Sequence, residues 1–115
     1  MARNAKPNRQ MNKLLNESLP YTIVAIHNHP YSSVPSLNDI ATAVKRKYKY
    51  GIVVCHNGNI FKYKVNSEYN IVNTEIYLEK LNNIIYNRNY KDDYEKLFNE
   101  CISKLREAGV ELEMI

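Results

Sequence analysis

Two histidines one residue apart, His27 and His29, precede a Ser-x-x-Asp, Ser36 and Asp39, in the stretch I-V-A-I-H-N-H-P-Y-S-S-V-P-S-L-N-D. No other stretch of the chain brings two histidines and a carboxylate together. Side chains on an extended backbone alternate between faces, so His27 and His29 point the same way. Asp39, in the first turn of a following helix, can face them across the loop. Two imidazoles and a carboxylate leave an open position on a tetrahedral metal, the composition of a catalytic zinc site rather than a closed structural one. Zinc held in this way lowers the pKa of its water to about 7 and supplies hydroxide at neutral pH. Ser36 would stand beside the metal and hydrogen-bond a developing oxyanion. The same residues also admit a plainer reading, with the histidines as ordinary loop residues and Ser36 and Asp39 as a helix cap alone. Spacing by itself does not choose between the two. The adjacent letters H-N-H do not signal the nuclease of that name, whose residues are spread over a ββα unit.

The elements that must position these residues follow from periodicity. The apolar, β-branched run Tyr21–Ile26 predicts a strand buried on both faces. Ser36 with Asp39 three residues on resembles a capping box with Asp in place of Glu. The helix it opens places Leu37, Ile40, Ala41, Val44 and Tyr48 on one face, with Lys45, Arg46 and Lys47 at its C-terminal end. Tyr50–Cys55 predicts a second strand. Asn57-Gly58 is a hairpin signal, and Ile60–Val65 alternates as a third, half-exposed strand. Thr74–Tyr86 predicts a helix with Leu78, Leu81 and Ile85 inward. Lys91–Ala108 predicts another, with Tyr94, Leu97, Phe98, Cys101, Ile102, Leu105 and Ala108 on one face and Gly109 at its end. Val110–Ile115 alternates as a last strand. Before the first strand, Met11, Leu14 and Leu15 suggest a short amphipathic helix within Arg9–Ser18, preceded by a disordered lead over residues 1–8. The predicted order is α-β-α-β-β-α-α-β, an α/β fold in which helices pack on a small mixed sheet.

The length of 115 residues fits one domain, taken as residues 9–115. The formal charge of +4 is too small a bias to imply nucleic acid as a partner. The run Ile23–Ile26 is far too short to span a bilayer, and the polar, basic N-terminus has no apolar signal core, so a cytoplasmic protein is expected. Cys55 and Cys101 lie within apolar patterns and form no CxxC, which predicts two buried free thiols.

The strand ending I-V-A-I-H-N-H-P, followed by P-S-L-N-D-I, resembles the metal-binding signature of JAB/MPN-type (JAMM) metalloproteases and their RadC-like relatives. That signature runs apolar strand, His-x-His-Pro, short loop, Ser-x-x-Asp. The stretch Y-G-I-V-V-C-H-N-G-N-I-F-K-Y-K-V is similar to the strand-turn-strand that follows in such domains. The likeness is greatest to JAB-like domains of phage minor-head (Mu F-type) and mobile-element proteins, and covers Tyr21 to about Val65. It implies a cytidine-deaminase-like architecture, zinc held by His27, His29 and Asp39, and Ser36 as the active-site serine. It also implies hydrolysis of peptide or isopeptide bonds in a protein or peptide substrate. The family's general base is a glutamate on a strand well upstream. Glu17 is the only glutamate before His27 and the one candidate base in this chain, but it falls in a predicted helix; otherwise the base is lost, replaced or carried on a segment not included in this chain. General-base assistance is worth about 10²–10⁴ in rate. The alternative is a catalytically inactive structural or interaction domain of a phage-derived protein.

His56, beside the Asn-Gly turn, is an additional ligand or substrate contact, or an ordinary turn residue. The run Lys45-Arg46-Lys47-Tyr48-Lys49-Tyr50 mixes basic and aromatic side chains, as single-strand nucleic-acid sites do, but also fits a solvated helix end.

Overall fold

Tyr50–Cys55 (β2) and Ile60–Val65 (β3) form the antiparallel centre of a four-stranded sheet. They meet through the Asn57-Gly58 turn. There the Cys55 N–H donates to the Asn59 carbonyl (2.8 Å), the Asn57 side chain accepts from the Asn59 N–H (3.1 Å), and Gly58 takes φ +96°. Val24–His29 (β1) pairs parallel to β2, and Val110–Met114 (β4) pairs antiparallel to β3, so the sheet is mixed in the order β1-β2-β3-β4. Three helices accompany it: α1 (Leu37–Lys45), α2 (Ile71–Tyr86) and α3 (Tyr94–Ala108). This computed structural model describes residues 20–31, 33–86 and 94–115. The lead over residues 1–8, the helix predicted within Arg9–Ser18 with Glu17, and the first residues of the helix predicted from Lys91 lie outside the described residues.

The first strand is displaced from its predicted position. It runs over Val24–His29 rather than Tyr21–Ile26, because Tyr21 has φ +62° and cannot continue a strand, and it is not buried on both faces, since Ile26 on the face away from the helices is exposed. Residues before it are tied instead to the loop after α1, through Tyr21 N–H to the Lys47 carbonyl (2.7 Å) and Lys49 N–H to the Ile23 carbonyl (2.8 Å). The parallel ladder with β2 then carries pairing through the polar His-Asn-His. α2 begins at Ile71, three residues before the predicted Thr74. Asn70 caps it, its side chain accepting from the Asn73 N–H at 3.0 Å, and this overrides the low helix propensity of the β-branched Ile71-Val72.

The core lies on one face of the sheet. Val53, Phe61, Tyr63, Val110 and Leu112 from the strands pack with Ile40, Leu78, Leu81 and Leu105 from the helices. Each large side chain buried there contributes roughly 1.5–3 kcal/mol. The inner stripe of α2 is Leu78, Leu81 and Ile85, as its periodicity predicts, with Thr74 added. Two residues predicted inward are exposed: Ala41 on α1, where Ile40 and Ala43 take the core side, and Leu97 on α3, where Phe98 and Cys101 do. A buried stripe two side chains wide suffices for helices that cover a sheet from one side only. Cys55 and Cys101 are both buried free thiols, and burial pushes the Cys101 thiol up, which keeps it protonated. No helix among the described residues is long and apolar enough to cross a membrane.

The corner between α3 and β4 depends on Gly109. Its φ is +100°, and a Cβ there would stand 2.9 Å from the Tyr69 Cα. The Gly109 carbonyl accepts from the Asn66 N–H at 2.8 Å, which docks the corner on the loop after β3. Gly109→Ala is expected to cost at least about 2 kcal/mol, combining left-handed backbone strain with a backbone contact that cannot yield. A matching fall in the urea midpoint at unchanged slope checks it.

Candidate metal centre

The site forms at the C-terminal ends of the two parallel strands, where open α/β sheets commonly bind ligands. Register sets its orientation. His27 pairs with Val53 and His29 with Cys55, and both partners are buried, so both imidazoles lie on the helix-covered face. The loop after β1 returns to that face because Val34 and Pro35 are buried and the Val34 N–H donates to Asn82 Oδ1 of α2 at 3.0 Å. It ends in the capping box: Ser36 Oγ accepts from the Asp39 N–H (3.1 Å) and Asp39 Oδ2 accepts from the Ser36 N–H (2.9 Å).

The capping box turns the Asp39 carboxylate toward β1, where Oδ2 stands 3.4 Å from His29 Nε2. Both side chains are largely buried, at 14% and 18% exposure. The other nitrogen of His29, Nδ1, is 2.8 Å from Ser33 Oγ. The Nε2 of His27 is buried and has no hydrogen-bond partner among the described residues. Burying such an atom unpaired is costly, a cost shared by the Tyr63 hydroxyl and Thr74 Oγ1.

His29 and Asp39 are thus in contact, while His27 presents a free buried nitrogen on the same face. Among the described residues, no three His, Cys, Asp or Glu side chains are gathered into a group that could hold a metal. The donor chemistry nevertheless suits zinc, since two imidazoles and a carboxylate are borderline-soft and hard ligands of the expected kind. Ser36 is exposed, and its hydroxyl oxygen serves the helix cap. His56 is an exposed turn residue whose N–H donates to the His29 carbonyl at 3.1 Å. With Asn28, His29 and Tyr31 it lines an open cavity of about 680 Å³. Glu17 lies outside the described residues. Every described glutamate is exposed.

Two further side chains bear on the site without a motif or period that announces them. Ser33 touches His29 from a loop, where no periodicity announces a contact. Tyr63 is fully buried on β3, and its ring passes over Gly51 of β2 with its hydroxyl unpartnered. A glycine inside a strand signals such a close approach, so Gly51 was the available clue. Burial, then the charge of Asp39, hold the Tyr63 phenol well above its ordinary range. It remains protonated, a donor rather than a base. In the basic run, Tyr48 packs against the core and Tyr50 lies under the Lys62 ammonium at 4.5 Å, so neither tyrosine accompanies the exposed lysines Lys45, Lys47 and Lys49.

Burial pulls the Asp39 carboxyl upward, but the His29 contact, the Ser36 N–H, the charge of His27 and the Ser36 hydroxyl outweigh it and hold the group below its ordinary value. A carboxyl held low stabilises the fold above its unfolded pKa of about 3.9, and that contribution is lost as pH falls through the lower folded value. The metal-free protein is therefore expected to lose stability below about pH 4, and Asp39→Asn to flatten that decline. Urea midpoints measured from neutral pH into the acid range check it. Comparison with protein-family models, with curated proteins and with solved structures finds no match.

Proposed function

We propose that the chain is a zinc-binding domain of JAB/MPN type, built for metal-dependent hydrolysis of peptide or isopeptide bonds in a protein substrate in the cytoplasm. The observation that carries this reading is the convergence of His29 Nε2 on Asp39 Oδ2 at 3.4 Å, on the face where His27 Nε2 is buried without a partner. The strand-loop-helix that presents them, followed by a strand hairpin, agrees with the JAB-type order. His27, His29 and Asp39 would hold the zinc, which when bound supplies a water acidic enough to ionise near neutral pH. The protein's own residues orient the ligands: the capping box aims Asp39, and parallel pairing sets both histidines on one face. Ser36 stands at the mouth of α1, where its hydroxyl proton remains available to a substrate oxygen.

The second reading, a catalytically inactive structural or interaction domain that retains the metal loop, is favoured by the exposure of every described glutamate, so that none of the described ones is placed as a buried base. Untagged protein purified without added metal is expected to carry about one equivalent of zinc, and less than about a tenth of an equivalent of any transition metal would sink the metal reading. Chelator-sensitive cleavage of an isopeptide-linked reporter by the zinc-loaded protein would select the hydrolase over the inactive domain.

A further inference from the structure

The Nδ1 of His29 lies 2.8 Å from Ser33 Oγ, on the side of the ring away from Asp39. Ser33 is firmly placed for a loop residue. Its carbonyl accepts from the Cys55 thiol at 3.5 Å, and Cys55 is the buried register partner of His29 on β2. The next residue, Val34, is buried and bonded through its N–H to Asn82. The backbone that carries the hydroxyl is therefore held from β2 on one side and α2 on the other.

A neutral imidazole binds a cation through one nitrogen only, and the hydrogen-bond partner of the other nitrogen decides which. Without a cation, Nε2 can carry the proton toward the Asp39 carboxylate; a cation bound at Nε2 displaces it to Nδ1, where it needs an acceptor. Ser33 Oγ is at hydrogen-bond distance to be that acceptor. We propose that Ser33 is the positioning residue of His29, accepting its Nδ1–H so that Nε2 presents its lone pair beside Asp39 to a divalent cation. The hydrogen bond stands on its own geometry, and its consequence for a cation rests on the zinc reading above.

Two readouts test it with wild type, Ser33→Ala and Ser33→Thr. In the metal-free protein, ring ¹⁵N spectra should show the His29 Nδ1 resonance shifted in Ser33→Ala and restored in Ser33→Thr, which keeps the hydroxyl. Zinc competition titrations should show affinity about 10–100-fold weaker for Ser33→Ala and within about threefold of wild type for Ser33→Thr. Unchanged His29 ring resonances in Ser33→Ala overturn the proposal whatever the metal does. Zinc affinity of Ser33→Ala within about twofold of wild type overturns it while leaving the zinc reading standing. A wild type that binds no zinc fails the zinc reading and with it the cation-presenting role of Ser33. A spectral change in that case would show only the Ser33–His29 contact.

Discussion

Asp39→Ala is expected to lower zinc affinity by more than about 100-fold, beyond the 10–100-fold typical of losing a residue that merely supports a ligand. The carboxylate would be lost as a ligand, and the His29 ring would lose the group that faces its Nε2 at 3.4 Å. The substitution also removes the acceptor of the Ser36 N–H, half of the capping box, at a cost of about 1 kcal/mol in stability. His29→Ala separates the two effects, because it removes a proposed ligand and leaves the cap intact. Both variants should lose zinc to a competing chelator that wild type resists, and only Asp39→Ala should also weaken the start of α1. Retention of zinc by both, within about twofold of wild type, would mean that the metal is held elsewhere in the chain.

Gly51→Ala is expected to destabilise the fold by about 3 kcal/mol, the upper end of ordinary overpacking. A Cβ at Gly51 would overlap the Tyr63 ring at Cζ and at the hydroxyl. The ring cannot swing aside easily, because Tyr63 is fully buried in the core formed with α1, α2 and α3. The strain would fall beside the site, since Gly51 is the register partner of Ala25, two residues before His27. Urea unfolding of Gly51→Ala, Tyr63→Leu and the double variant gives the coupling. The double variant should be more stable than the sum of the two single costs, because the smaller side chain vacates the space that the new methyl needs. Simple additivity would show that the Tyr63 ring is not the obstacle.

Much of the architecture was legible in the residue pattern. β2 and β3 fall where alternation and the Asn57-Gly58 turn place them, since a hairpin is a local structure whose register its own turn determines. The core stripe of α2 follows from period, and the cap of α1 from Ser36 and Asp39. Less legible were the ends of β1 and α2 and the outward turn of Ala41 and Leu97. These depend on partners distant in sequence: the ladder to β2, the ties to Lys47 and Lys49, and the share of each helix that the sheet can cover.

The site divides in the same way. The sequence by itself determined which donor groups the candidate site holds, because His27, His29, Ser36 and Asp39 sit on one strand-loop-helix and their alternation and capping are local properties. Tertiary structure alone decided which of them meet. Parallel pairing with β2 buries the imidazoles, the loop docked on Asn82 brings Ser33 to His29 Nδ1, and the capped helix brings Asp39 to Nε2. Spacing along a chain limits which side chains can reach one another, but the low-dielectric surroundings that make their contacts count come from elements far away in sequence.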